Sequence, residues 1–442
     1  VGDALVALTV LALVGGQVSM RLWRALALAG VIAALAGVWG AVGLMAAPRS
    51  DWSAPFLAQA GAGLFSVAPD RTWLELSKLA GASALVLAAA AAAASPRQAE
   101  AVLKALLAVG ALHTAAGLIM YAADPDSVAG YAKGGHQWRF TGTLLNANAC
   151  AASLAMSAAL AAAYFRTTLR VLGKAPSGAK SDPMIRCGVA AMLIFLFAGA
   201  CAMTQSRTAL AALLLVVAAI VFFPSRAGGE DAEEGGRRRR WGRVAAGAVA
   251  ALACIGVAVA LTGGSTLERL SEIEGDASTR LQAYELFIGK TLEAPLFGYG
   301  LGSFAMVANP GADVDLASRI WNMGAAHNAW LQAAMEGGLP YAVALTAAVA
   351  AFLGMALLRR AVTPGQRAAR LAAFGGLVAV TVSALVDIAL NVPAVAAQAM
   401  VLVGVFGGAS LGDTSAVRHG SHRRRRARRR RSSDAGEDEV AA

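Results

Sequence analysis

Residues 193–223 read LIFLFAGACAMTQSRTALAALLLVVAAIVFF, two apolar stretches joined by TQSR, with Arg207 the one charge in the run. A helix rising 1.5 Å per residue needs about 20 apolar residues to cross a hydrocarbon core of ~30 Å. The two stretches therefore read as membrane spans, 187–203 and 208–223, meeting at a tight turn. Working outward, further apolar blocks fall at 3–20, 25–47, 74–94, 103–122, 146–165, 244–261, 329–357, 371–390 and 394–411. Over the 442 residues 57% are apolar and 15% charged, and the mean hydropathy is +0.59. Soluble domains carry about 25% charged residues, so a water-soluble enzyme is excluded. The expected fold is all-α, a polytopic membrane bundle of eleven spans, or twelve if another precedes Val1.

The net charge of +11 is a topology signal. Along alternate loops, 28 of the 38 Lys and Arg fall on one side, including Arg237 to Arg240 and nine Arg from Arg418 to Arg431. The positive-inside rule makes that side cytoplasmic. Residues 1–411 then form one membrane domain whose longest loop, about 262–328, faces outward and carries short helices. Residues 412–442 form a disordered basic cytoplasmic tail. No aromatic residues interleave the arginines, which argues against nucleic-acid binding and for attraction to anionic lipid heads. Cys150, Cys187, Cys201 and Cys254 are isolated, with no CxxC and no histidine at ligand spacing, so no metal site is expected.

The outer face is poor in bases, and each arginine there needs a reason. A guanidinium at membrane depth costs about 2.5–3.5 kcal/mol on insertion scales; Arg207 either snorkels, pairs with a carboxylate or serves a ligand. Arg280 lies in DASTRLQAYELFIGK, where Asp276 or Ser278 can cap a helix with Leu281, Tyr284 and Ile288 on one face. A cation in that first turn makes sense if an anion is held by Arg280 and free backbone N–H groups together. The glycines of APLFGYGLGSF, Gly298, Gly300 and Gly302, suit a tight turn that lets backbone approach another segment or a ligand. His327 precedes the 329–357 span, where a helix N-terminus favours the neutral ring that a general base needs. His113 reads as a structural residue inside a span. Glu336, about 14 Å deeper than His327 at helical rise, must be protonated or paired, with Arg207 or within a structural pair. Two arginines and a neutral histidine at one membrane face suit phosphate-linked chemistry, with a lipid diphosphate as the natural donor.

RFTGTLLNANACAASLA (139–155), TQSRTALAALLL (204–215), STRLQAYELFIGKTLEAPLFGYGLGSF (278–304) and AAHNAWLQAAMEGGLP (325–340) together resemble the O-antigen ligase-like family of bacterial envelope proteins, which includes O-antigen ligases and Wzy-type polysaccharide polymerases. The resemblance implies a multi-pass inner-membrane transferase. It would move a glycan from undecaprenyl diphosphate to an acceptor hydroxyl, on a growing glycan or a lipid A core, at the periplasmic side and without metal, nucleotide or other cofactor. Arg207 and Arg280 would bind the donor diphosphate and His327 would activate the acceptor, with Arg139, Asn146, Asn148, Asn328 and Glu336 as further substrate-binding candidates. Two departures bear on the acceptor: NANACA lacks the aromatic or histidine that often follows, and Tyr284 stands where Trp is common. A transporter or flippase of lipid-linked sugars, which also needs arginines for diphosphate, is the alternative; it would carry bases along a path through the bilayer.

Overall fold

The structure is a computed structural model describing residues 19–45, 66–222, 265–309, 312–321, 323–359 and 363–412, with backbone alone for 265–278. The expected spans 3–20 and 244–261, the arginine-rich loop before the latter, and the C-terminal tail lie outside the described residues. The chain is largely helical, with α1 (Met20–Val42), α2 (Pro69–Ala92), α3 (Pro96–Ala123), α4 (Ala147–Lys174), α5 (Ser181–Met203), α6 (Arg207–Phe222), α7 (Ser265–Glu293), α8 (Phe304–Val307), α9 (Val314–Ile320), α10 (Ala329–Leu357), α11 (Pro364–Ala384) and α12 (Pro393–Leu411). Among the described residues eight of these, all but α6 to α9, are long and apolar enough to cross a membrane. The all-α expectation meets one small exception: Ser127–Val128 (β1) pairs antiparallel with Tyr131–Ala132 (β2) in the loop after α3.

Helix starts follow local chemistry. Ser19 accepts from the Leu22 N–H and Ser95 from the Gln98 N–H, the latter with Pro96 in the first turn. Thr363 and Gln366 form a reciprocal capping box ahead of Pro364. Each satisfies backbone donors that a helix start otherwise leaves orphaned. The expected span 371–390 instead ends at Ala384, and Leu385 to Val392 turn back through a short 3-10 segment, Ala389–Asn391. The reason is local: the Asp387 carboxylate accepts from the Ile388 N–H at 2.7 Å, and Val392, preceding Pro393, must be extended.

The Ala-rich α4 runs through the middle of the bundle, with 78% of its most apolar window buried against α5, α6 and α11. Small side chains let backbones approach where lipid tails offer no hydrophobic drive to associate. The same device joins α2 to α12: a Cβ on Gly404, Gly408 or Gly412 would fall 2.0–2.4 Å from the carbonyls of Val86, Ala90 and Ala94. By contrast α1, α2, α3, α5 and α10 bury 28% or less of their apolar windows, and Leu35, Ile119, Phe195 and Val343 stand exposed. Apolar faces this extensive are untenable in water and suit a hydrocarbon surround.

Helix α10 is broken. Gly338 has φ +79° and ψ 168°, with Pro340 just beyond, and a Cβ at 338 would lie 2.0 Å from the Leu296 carbonyl oxygen. Into the break fits the glycine turn: the N–H groups of Tyr299 and Gly300 donate to the Met335 and Glu336 carbonyls at 3.1 and 2.8 Å, and Leu339 N–H to the Pro295 carbonyl at 2.8 Å. The turn thus approaches another segment of its own chain. Gly338→Ala should lower the unfolding free energy by at least about 2 kcal/mol, since both conformation and space forbid a Cβ. The control Gly188→Ala, at an exposed helical position with open space, should be neutral or stabilise by up to about 1 kcal/mol. Thermal unfolding in detergent measures both.

Candidate functional site

Connections join α1 to α2, α3 to α4, α5 to α6 and α11 to α12, and the start of α10 packs on the end of α1 with Tyr341 against Gly40, so the ends of α1, α3, α5 and α11 and the starts of α2, α4, α6, α10 and α12 share one end of the bundle. Every candidate residue is on that end or in the segments joined to it. A cavity of about 210 Å³ opens at the opposite end, beside Glu100, Tyr164, Asp182 and Arg186, and no candidate residue lines it.

Arg139 is the most firmly built of the candidates. The Lys133 side chain is buried and spans the loop, donating to the carbonyls of Pro125 and Arg139 at 2.7 and 2.9 Å. Phe140 N–H donates to the Met203 carbonyl at 3.1 Å. These bonds place the Arg139 guanidinium between the α5–α6 turn and the first turn of α4. Its Nε donates to the Thr204 carbonyl at 2.8 Å and one Nη to Asn148 Oδ1 at 3.2 Å. Asn146 caps α4, its Oδ1 accepting from Ala149 N–H at 2.9 Å, while its Nδ2 meets Nε2 of half-buried His136 at 3.0 Å. Burial, then the charges of Arg139, Lys133 and His327, push the His136 pKa down to about 4, so this imidazole is neutral.

On the other side of the site stand His327, Arg280 and Asp387. His327 Nδ1 lies 3.7 Å from Asp387 Oδ1, and the Arg280 guanidinium donates to the Val386 carbonyl at 3.2 Å. Tyr284 O–H donates to the His327 carbonyl at 3.0 Å, so α7 holds the histidine's backbone as well as supplying Arg280. Burial is the largest influence on His327 and lowers its pKa below the ordinary 6.5; Asp387 opposes this and Arg280 adds to it. The ring is neutral as expected, but desolvation is the leading cause. Burial raises the Asp387 carboxyl, against the pull of the Ile388 N–H, His327, Arg280 and Arg139. That Arg139 and Arg280 both act on Asp387 ties the two halves of the site together.

The backbone here is strained. Of the four non-glycine residues at positive φ among the described residues, His327 (54°), Trp138 (59°) and Gln205 (58°) carry, or flank the partners of, the candidate side chains. Such conformations cost about 1–3 kcal/mol each and gather at functional sites.

Several expectations change. Arg280 does not sit in a first turn: α7 begins at Ser265, so Asp276 and Ser278 are helix interior rather than caps, and no free N–H groups accompany the guanidinium. The buried face of α7 is Ala283, Phe287 and Thr291, while Leu281 and Ile288 are 68% and 49% exposed. Glu336 does not pair with Arg207. Its carboxyl accepts from Gly302 N–H, Phe304 N–H and Gln332 Nε2 at 2.8, 3.2 and 3.0 Å, which assigns it to holding the glycine turn. The Asn328 Oδ1 is occupied in capping α10, accepting from Trp330 and Leu331 N–H. Arg207 opens α6 with its side chain exposed, three residues after the Thr204 carbonyl that receives Arg139. Asp387 and His136 were not anticipated. Asp387 was hidden inside a presumed span, where a carboxylate is itself a warning; His136 lay in GGHQWRF, three residues from Arg139.

Among the described residues no three His, Cys, Asp or Glu side chains gather to hold a metal ion. In comparison with known proteins, residues 192–346 match the family model for O-antigen ligase. The chain carries an O-antigen ligase domain. Arg207, Arg280, His327, Asn328 and Glu336 fall inside the O-antigen ligase match, and His136, Arg139, Asn146, Asn148 and Asp387 outside it. No curated protein matches the chain.

Glu336→Gln, which turns one acceptor oxygen into a donor facing N–H groups, should cost about 1–3 kcal/mol of stability, whereas Arg207→Ala should leave stability within about 0.5 kcal/mol. Unfolding curves of the two variants test the structural role of Glu336.

Proposed function

We propose that this protein is a metal-independent glycan transferase of the O-antigen ligase or Wzy-type polymerase kind. It takes an undecaprenyl-diphosphate-linked glycan as donor and a hydroxyl of a glycan or lipid A core as acceptor, at the periplasmic face of the inner membrane, with eleven or twelve spans and a cytoplasmic C-terminus. The observation that carries the reading is the juxtaposition of half-buried His327 and buried Asp387 with Arg139 and Arg280 at one end of an apolar bundle, in a chain with an O-antigen ligase domain.

Asp387 faces Nδ1 of His327, which favours the tautomer with the proton on Nδ1 and leaves Nε2 free to act as base. The acceptor oxygen attacks the anomeric carbon of the donor sugar and gives its proton to His327 Nε2. As the new C–O bond forms, the bond from that carbon to the phosphate oxygen breaks, and the lipid diphosphate departs with the electron pair. Arg280, Arg139 and the exposed Arg207 offset the charge that develops on it. A diphosphate at this end would also compete with Asp387 for Arg139 and Arg280. Transport of a lipid-linked sugar fits less well: deeper in the bundle the polar cluster of Ser153, Ser157 and Gln398 is uncharged and satisfied within itself.

Purified full-length protein should form product from undecaprenyl-diphosphate glycan and acceptor without added metal or ATP. His327→Ala should reduce kcat by about 10²–10⁴-fold, the usual worth of a general base; full turnover in that variant overturns the assignment. Activity should be lost as pH falls through the depressed His327 pKa, below 6.5, because only the neutral ring accepts a proton. Asp387→Asn removes the charge that raises this pKa, so its residual activity should fall off at still lower pH, which a kcat/KM–pH profile records.

A further inference from the structure

The cavity of about 210 Å³ at the end of the bundle away from His327 is ringed by α3, α4, α5 and α11, apolar at Leu103, Val171 and Ala368 and charged at Glu100, Asp182 and Arg186. That end is basic, with Arg21, Arg24, Arg97, Arg170, Lys174 and Lys180 on its helix ends. Among the described residues of the spanning helices there, Glu100 and Asp182 are the only acids, and both line this one cavity. Each has a neighbour on its own helix, Lys104 for Glu100 and Arg186 for Asp182, both at 2.8 Å. Exposed i,i+4 pairs of this kind contribute little, so a ligand charge can replace either partner. The helix dipole accounts for Asp182 in the first turn of α5 but not for Glu100, which lies past the first turn of α3. Helices α3 and α5, of 28 and 23 residues, are about 42 and 35 Å long at helical rise. A hydrocarbon core is ~30 Å thick, so their first turns stand in the headgroup layer.

A ligand for this lining carries a cation for two carboxylates, an anion for Arg186 and an apolar part. The space is smaller than the roughly 300–1,000 Å³ of pockets for drug-sized molecules, so its charged part is compact. A primary ammonium has three N–H donors, as a lysine head does, and can be shared by both carboxylates. A quaternary ammonium has none and is held by aromatic cages; Tyr164 is the one aromatic residue in the lining. We propose that this cavity holds the headgroup of a phospholipid bearing a primary amine, with its ammonium shared by Glu100 and Asp182 and its phosphate on Arg186. An anionic lipid lacking the amine finds bases all over this face but gains nothing from the two carboxylates. The site owes nothing to the chemistry at the His327 end.

The test is binding of phospholipids with matched acyl chains to the full-length protein in a maltoside detergent, read by native mass spectrometry. Wild type should hold phosphatidylethanolamine about tenfold or more tighter than phosphatidylcholine or phosphatidylglycerol, the worth of a hydrogen bond to a charged group. Affinity should fall through the N-methyl and N,N-dimethyl headgroups as donors are removed, a series that needs no variant. Glu100→Gln combined with Asp182→Asn should bring phosphatidylethanolamine within about threefold of phosphatidylcholine. Glu75→Gln, which breaks an exposed pair with Lys78 at the other end, should keep the full preference. Arg186→Gln should weaken both lipids alike, and unchanged binding in that variant overturns the phosphate contact. A wild type without preference for the primary amine overturns the proposal, as does a preference that survives in the double variant or is lost equally in Glu75→Gln. Soluble glycerophosphoethanolamine bound as tightly as the lipid would assign the cavity to a free ligand and overturn the lipid assignment.

Discussion

The Glu336 carboxyl, buried in α10, accepts hydrogen bonds from the N–H groups of Gly302 and Phe304. An unsatisfied carboxyl at this depth would be among the most costly groups in the protein; with two backbone donors and Gln332 around it, it becomes a peg for the 298–304 turn. The turn in turn sets α7. Phe304, pinned through its N–H, packs edge-on to Phe287 with ring centroids 5.0 Å apart, and Tyr299 O–H reaches Glu293 at 2.8 Å. With Phe287 fixed, the register of α7 is fixed, and with it the places of Tyr284 and Arg280 one and two turns earlier. Tyr284 then holds the His327 carbonyl. The geometry around the histidine is thereby traceable to a carboxyl nine residues further along the chain, in the helix that follows it.

Two anchoring systems of different character meet at the site. On the His136 side the fixing groups are polar and local: a buried lysine bridging two carbonyls, an asparagine cap, and a guanidinium wedged against a turn. On the His327 side they are long-range, passing through α7 and the broken α10. Asp387 lies between them and is acted on by the arginines of both. It belongs to neither the loop motifs nor the segment before α10, but to a turn between two apolar helices that read as an unbroken pattern.

The bundle was legible because its information is redundant: an apolar block of about twenty residues signals a span even when a few positions are misread, and the expected blocks from 25–47 to 208–223 and from 329–357 onward reappear as helices. The site was legible only where a residue violated its surroundings. Arg207, Arg280 and His327 stood out as polar groups on a base-poor face, and Arg139 through the motif it opens. Glu336 stood out for the same reason yet serves structure, since burial alone does not say whether a carboxyl's partners are backbone or ligand. Asp387 was passed over because eight apolar neighbours outweighed it, and the turn that frees it depends on Pro393 and on its own bond to Ile388. The stripe Leu281–Ile288 did not reveal the buried face of α7, Ala283, Phe287 and Thr291, because hydrophobic periodicity reports an apolar face without saying what covers it.

His327 has a left-handed backbone, a conformation that glycine adopts freely and asparagine tolerates best among the rest. Either replacement would relax the main chain and remove the imidazole with it. Greater thermal endurance therefore cannot be gained at this position without losing the imidazole. It has to be found elsewhere, for instance at exposed helical positions with open space such as Gly188, where the sequence is free to drift toward hardiness while the aim of the histidine ring stays written in its φ angle.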